Sequence, residues 1–419
     1  MDRRSFTVII AAVVLRLVMF TAFPSLPDLL TNRVELSTPV TSFKRLQEGL
    51  FLYTHGLSPY DGGVFHQAPL LLAFFTTLPS NPIVVYLVYI LSDVLSAYSL
   101  IQIATSGVSV STPYHTSSRK SSAWPPWAVA AAFLFNPFSI ATCIARPTIV
   151  FTNTAILTAV AKGVQGQGIA AVLALAMASY LSLYPVLLLP PMILLAYDNL
   201  PAVKKKKGRS LGSFAAVLAS VFTVAAVGLG TLSWGITGGS WEFLASTYGV
   251  HLLLPDLTPN VGLWWYFFIE MFDSFREFFL CVFQLHLAIY LAGLCLRLRK
   301  QPLFVITTLL GISSIFKSYP SIGDTALYLS LLSLYRHIFP LMRYTFFVTS
   351  TLLYATLLGP AFYHLWIYAG SGNANFFYAI TLVWSLAVTV LVSDAIFAVL
   401  RDEWETERPE MKGKEIVQI

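Results

Sequence analysis

Apolar runs that are candidate membrane spans, several of them nearer 15 than 20 residues, recur along this chain from one end to the other. They lie near residues 6–23, 82–105, 127–145, 148–163, 168–199, 211–235, 274–296, 303–316, 321–338, 342–360 and 376–399. A helix crossing the hydrocarbon core needs about 20 such residues, and shorter or broken ones survive where neighbouring helices cover the freed backbone. The pattern predicts an all-α fold, a polytopic membrane helix bundle of about ten to twelve transmembrane helices. The run 168–199 holds Pro185, Pro190 and Pro191 and is expected to divide into two half-length helices.

Composition removes the soluble alternative. Only 11% of the 419 residues are charged, against about 25% in a soluble domain. The net charge of +6 comes from small clusters beside apolar runs, which carry topology information and no nucleic-acid footprint. Arg3 and Arg4, "KKKKGR" (204–209), "RLRK" (297–300) and the tail from Arg401 are the positive blocks, assigned to the cytoplasm. With about twelve crossings both termini fall there. Residues 1–402 then form one transmembrane domain, with 24–64 as a first luminal loop and 107–123 and 200–210 as cytoplasmic loops. Residues 403–419 form a solvated cytoplasmic tail. The stretch 41–56 reads as an amphipathic helix on the membrane surface. The segment 65–80 lies against the bundle, and 237–262 and 361–375 join the luminal side. The Ser- and Thr-rich loop 107–123 reads as mobile. The apolar stretch after "MDRRS" continues past Arg16 to Phe23, so it reads as a retained first helix.

Few residues offer chemistry. Cys143, Cys281 and Cys295 lie in or beside apolar runs without C-x-x-C spacing, and the seven histidines form no ligand cluster. No metal, cofactor or nucleophilic site is expected. The segment "SPYDGGVFHQAPLL" (58–71) looks like one found in the GPI mannosyltransferases, multi-span enzymes that use a lipid-linked sugar. Those enzymes place a carboxylate pair in the first luminal loop. Here that loop carries Asp28, Glu35, Glu48 and Asp61, no two of them adjacent or one apart, and Asp61 before Gly62-Gly63 suits a turn. A polyprenyl-phosphate-mannose-dependent mannosyltransferase therefore stays the alternative, with its catalytic pair missing.

Polar residues inside apolar runs are costly unless partnered. Asp93, Arg146 and Asp394 suit structural pairing. Lys317, Tyr319 and Asp324 cluster around the helix-breaking Pro320, which suits a buried bend or a binding cavity. In "LLLPDLTPNVGLWWYFFIEMF" (252–272), Asp256 and Asn260 sit in turns ahead of the aromatic block Trp264–Phe268. That block reads as an interfacial anchor, or as a lip for a lipid or a partner. In "YHLWIYAGSGNANFFYAI" (363–380), Ser371, Asn373, Asn375 and Tyr378 interrupt the last apolar stretch, either as a turn capping the final helix or as a lipid-facing site.

Together "LLPDLTPNVGLWWYFFIEMF", "IFKSYPSIGDTALYLSLL" and "HLWIYAGSGNANFFYAITL" resemble signature segments of the PIG-U family of GPI transamidase subunits. "SPYDGGVFHQAPL" and "YLSLYPVLLLPP" fit the same family. The resemblance implies a glycosyltransferase-C-like fold without catalysis, in the endoplasmic reticulum membrane. It implies partners: the caspase-like PIG-K, which carries the catalytic cysteine, with PIG-T, PIG-S and the GPAA subunit. It also implies a role in recognising the GPI lipid or the C-terminal signal of the preprotein, among surrounding membrane lipids. Under that reading Asn373, Asn375, Ser371 and Tyr378 are the candidate lipid-binding residues, with Asp256 and Asn260 on the opposite lip.

Overall fold

The computed structural model describes residues 2–79, 81–201 and 210–414. The lysine run used above to orient the chain lies outside the described residues. Among those described there is one isolated β-bridge, Ser111 with Thr116, and no strand.

Local chemistry sets the helix starts. Helix α1 (Arg3–Ala22) opens at Asp2, whose carboxylate accepts the Ser5 amide at 3.0 Å. In the first loop, α2 (Leu26–Thr31), α3 (Phe43–Thr54) and α4 (Pro69–Thr76) follow. Helix α3 buries Phe43, Leu46 and Gly49 while Lys44 and Glu48 face outward, the expected amphipathic pattern. Asn81 caps α5 (Pro82–Ser106), with Pro82 at the first helical position. The same pair recurs at Asn136-Pro137, where it bends the run expected as a span over 127–145. Pro137 cannot continue a helix, so the run becomes α6 (Pro126–Leu134) and α7 (Pro137–Ala145), bent by 54°.

Helices α8 (Ile149–Val164) and α9 (Gly168–Leu181) come next, then a tight turn of 3₁₀ helix, Tyr184–Leu188, and α10 (Leu189–Asp198). The proline-rich run thus divides in two. The chain ends with α11 (Leu211–Ile236), α12 (Trp264–Ile269), α13 (Asp273–Arg297), α14 (Pro302–Phe316), α15 (Ile322–Leu332), α16 (Thr345–Ile367) and α17 (Ala374–Glu407). Six of these (α1, α5, α11, α13, α16 and α17) are long and apolar enough to cross a membrane, and the bent pair α6–α7 makes a seventh if it is one span. Helices α8, α9 and α14 and the segment Tyr184–Asp198 are apolar but shorter.

Burial ranks these helices. Helix α14 is buried almost all round, as an apolar helix at the centre of a bundle must be. Gly311 allows that, because a Cβ there would stand 2.7 Å from Val392 of α17. Helix α13 has Leu287 as its one fully buried residue and presents Phe278, Leu285 and Ile289 outward. Two intramembrane carboxylates are satisfied inside the fold. Asp93 of α5 receives Arg16 Nε of α1 at 2.8 Å, and Arg16 Nη1 donates to the Leu134 carbonyl at 3.0 Å. Asp394 of α17 accepts the backbone amides of Arg343 and Tyr344 at 2.9–3.0 Å, holding the chain where α16 begins.

The two ends of the bundle differ. At one, Arg119 donates to Asp402 at 2.9 Å and also binds Glu405, and Gln301 donates to Glu403 at 2.8 Å. The loop 107–123 is therefore tied to α17, and the helix runs on to Glu407 with Asp402, Glu403 and Glu405 buried. The loop and the start of the tail are held together there because their opposite charges find each other, while residues 407–410 and 412–414 are exposed. At the other end the first loop, the segment 237–263 and the turn 368–373 gather. Arg45 pairs with Asp256 at 2.7 Å, and Arg33 lies over the Tyr363 ring at 5.7 Å.

Candidate functional site

The turn between α16 and α17 is closed by its own small residues. Gly370 has φ +63°, a conformation that side chains disfavour. The amides of Ser371 and Gly372 both donate to the Leu365 carbonyl, at 3.0 and 3.1 Å. A Cβ on Gly372 would approach the Trp366 backbone nitrogen to 3.2 Å. Asn373 is the N-cap of α17, its side-chain oxygen accepting the amides of Asn375 and Phe376 at 3.1 and 3.4 Å. Ser371, Asn373 and Asn375 are exposed and Tyr378 is half-buried.

Asn375 is held from a distant segment. Its Oδ1 accepts the hydroxyl of Tyr266 on α12, and the Tyr378 hydroxyl donates to the Leu263 carbonyl at 3.0 Å. The Tyr266 and Tyr378 rings lie 4.7 Å apart. The side-chain nitrogens of Asn373 and Asn375 make no hydrogen bond among the described residues, so both remain free to donate. Tyr266 was not singled out by the sequence, although it stands inside the quoted aromatic block.

That block is mostly packing. Trp264 and Trp265 are 0% and 1% exposed, and Trp264 Nε1 donates to the Phe316 carbonyl at 2.9 Å. Trp265 packs against Trp366 and Phe377. The headgroup-anchor reading fails for these two rings, because neighbouring helices enclose them.

The 252–263 segment links the site to the proline break. Tyr319 donates to the Asp256 carbonyl at 2.8 Å, and a Cβ on Gly262 would strike the Pro320 ring at 2.6 Å. Asn260 is fully buried, its side chain accepting the Gly262 amide at 2.8 Å and donating to the Thr258 carbonyl at 3.2 Å. Burial pushes the Asp256 carboxyl up, but hydrogen bonds from Thr258 and the Arg45 guanidinium outweigh it and hold the pKa below the usual carboxylate range. Lys317 and Asp324 pair at 2.6 Å, and Asp324 also accepts the Ser321 amide at 2.9 Å to cap α15. The pair lines a small cavity of about 40 Å³ with His66, Asn153, Tyr184 and His251. Burial, with Lys317 adding to it, pushes His251 down to about 3. The three segments that carried the resemblance therefore form one continuous wall, from Lys317 through Tyr319, Asp256 and Leu263 to Tyr378 and Asn375.

Two apolar grooves flank the upper part of α17. One of 270 Å³ is lined by Leu263, Val282, Phe283, His286, Phe316, Tyr378 and Leu382. Positions 375, 378 and 382 share a helix face, so this groove continues the face that carries the Asn375 amide. The other, of 430 Å³, includes Phe377, Ile380, Thr381 and Trp384, with Arg33 and Glu35 at its border.

The first-loop carboxylates are occupied or apart. Asp28 pairs with Arg146 at 2.7 Å and Glu35 with Arg33 at 2.9 Å, while Glu48 and Asp61 are exposed. Among the described residues no group of three or more His, Cys, Asp and Glu side chains could hold a metal.

Comparison with known proteins gives a consistent result. The family model described as GPI transamidase subunit PIG-U matches residues 10–384. A Homo sapiens protein described as GPI-anchor transamidase component PIGU is 35% identical over 415 residues, covering 95% of this chain and 94% of that protein. Its Mus musculus counterpart is 36% identical over the same shares. A Saccharomyces cerevisiae protein described as GPI transamidase component GAB1 is 35% identical over 416 residues, covering 99% of each chain.

Proposed function

The chain belongs to the PIG-U family of GPI transamidase subunits, and from that membership we propose that it recognises the GPI lipid and presents it to a catalytic partner. The carrying observation is the Asn375 amide, exposed and braced by Tyr266, at the head of an apolar groove on the same face of α17. A lipid with a polar glycan needs both parts. Amides hydrogen-bond sugars and phosphates without the desolvation cost of a charge, and the groove accepts an acyl chain. Asn373, Ser371 and Tyr378 complete the polar rim, while Asp256 and Asn260 act as positioning residues by bracing the wall behind it. The Lys317–Asp324 pair fixes that wall at its far end.

In this reading the protein is a non-catalytic subunit in the endoplasmic reticulum membrane, with the amide turn on the luminal side. Its partners are PIG-K, which supplies the catalytic cysteine, PIG-T, PIG-S and the GPAA subunit. The preprotein's C-terminal signal is the second substrate held nearby. The pairing of Asp28 with Arg146 and the spacing of the first-loop carboxylates, no two of them adjacent or one apart, support this assignment over a mannosyltransferase.

Cells lacking the endogenous subunit provide the test. The double variant Asn373→Leu, Asn375→Leu is expected to co-purify with the other subunits yet lower surface display of a GPI-anchored reporter. Normal display would overturn the lipid-binding role, and loss of co-purification would assign the amides to architecture alone.

A further inference from the structure

The cavity beside the proline break gathers polar groups that the fold does not use. Helix α14 is enclosed on nearly all sides, and Ser313 is its one residue besides the terminal Phe316 that is not buried. Ser313 lines the cavity of about 40 Å³ with Thr152 and Asn153 of α8, His251, Lys317 and Asp324. Hydroxyls inside a helix commonly bond back to their own backbone, as Thr307 does to the Leu303 carbonyl at 3.0 Å. The hydroxyls of Thr152 and Ser313 make no hydrogen bond among the described residues. Unlike His66 Nε2 on the same wall, they are open enough for a water to reach.

The other groups leave hydrogen-bonding capacity as well. Asn153 Nδ2 donates to the Gly323 carbonyl at 3.1 Å, and its Oδ1 is unspent. Lys317 Nζ uses one of its three donors on Asp324 at 2.6 Å. Tyr184 donates to Ser318 Oγ at 3.0 Å, which sends the Ser318 proton to His251 Nδ1 at 3.2 Å. Burial holds that ring neutral, so this network assigns its proton to Nε2, a donor without a partner among the described residues. Lys317 and His251 thus donate, Asn153 accepts, and the hydroxyls do either.

We propose that this cavity is a water-binding site, holding a cluster of about three molecules that bridges Lys317 and Asp324 to Asn153 and Ser313. Water matches the mixture, because each buried molecule both donates and accepts among about two to four partners. The Lys317–Asp324 pair leaves no net charge to select an ion, and the volume is too small for a sugar ring or an acyl chain. Thr41, His66 and Leu71 of the first loop line the same space. The cluster therefore sits between that loop and the break ahead of α15. It solvates the ion pair where the surrounding helices offer little polarity.

The test is hydroxyl-radical labelling of the full chain in its purified complex. A synchrotron X-ray pulse makes the radicals from water, and mass spectrometry reads the oxidised side chains. Bound water labels the residues beside it even where bulk solvent is excluded. His251 and Leu188 line the cavity, whereas His337 and Leu331 are also buried and do not. Wild type is expected to be labelled at the first pair several-fold above the second. Ser313→Leu, whose side chain takes the space of the cluster, is expected to bring the first pair down to the level of the second. Asn153→Leu gives the same reading if Ser313→Leu does not assemble. Wild-type labelling of His251 and Leu188 no higher than that of His337 and Leu331 would overturn the proposal. So would labelling that the filling variant leaves unchanged.

Discussion

The Tyr266 hydroxyl donates to the side-chain oxygen of Asn375 across 109 positions of sequence. That bond ties the turn at the head of α17 to the aromatic helix α12, and it orients the amide while leaving its nitrogen free. Tyr266→Phe removes the bond and keeps the ring. It is expected to cost about 1 kcal/mol or less in stability, yet to lower reporter display as Asn375→Leu does. If the two residues act as a unit, the double variant is no worse than the worse single one. Additive losses in the display assay would separate them.

Arg16 and Asp93 form an ion pair with side chains 1% and 6% exposed. Removing one partner strands a buried charge, so Arg16→Leu or Asp93→Leu should each destabilise by about 3–5 kcal/mol. The double replacement should recover much of that loss. Thermal midpoints of the purified protein measure both effects, and a double variant as unstable as the singles would contradict the pairing argument.

Asn373 separates capping from binding. Asn373→Ser can still accept the helix amides but carries no amide donor, whereas Asn373→Ala loses the cap and about 1 kcal/mol. Hydrogen exchange at the amides of Asn375 and Phe376 should quicken in Asn373→Ala and stay near wild type in Asn373→Ser.

Acid should weaken the fold through His251. The native state holds this histidine neutral, with its pKa pushed down to about 3 by burial, then by Lys317 and His66. Unfolded, it protonates near pH 6.5. Between those values the unfolded state binds the extra proton, so stability rises with pH and falls as pH drops below about 6.5, by up to roughly 1.4 kcal/mol per unit. Around the imidazole stand Tyr184, Ser318 and Tyr319, with Lys317 nearby. His66 is also pushed down by burial and adds to the same trend. Thermal midpoints measured from about pH 7.5 to 5 should fall more steeply for wild type than for His251→Gln. Parallel curves would exclude His251 as the cause.

The legible parts of this protein were those written in local chemistry. The proline-rich run split where Pro185 and its neighbours required, and amphipathic α3 formed over the expected stretch. Asn373, read as cap or ligand contact, proved to be a cap whose amide nitrogen is still free. The bend at Asn136-Pro137 was also a local signal, hidden inside an apolar run of full span length. The partners of the charged residues had no such signature. Nothing near Asp402 in sequence indicates Arg119, and nothing near Arg146 indicates Asp28, since each pair joins segments more than a hundred residues apart. The tryptophans of the aromatic block were misplaced for the same reason, because burial depends on which helices arrive beside them.

The sequence by itself determined the solvent this chain folds in, the positions of its helices and its family. Hydrophobic run length, prolines and capping residues act over a turn or two of chain, and long motifs keep their order. Only the tertiary structure decided which polar groups are spent and which remain available. In a low-dielectric interior each charge must find a partner, and that search runs through space. It consumed Asp93, Asp394 and Asp402 in the architecture, buried Asn260, and left the side-chain nitrogens of Asn373 and Asn375 open to a ligand.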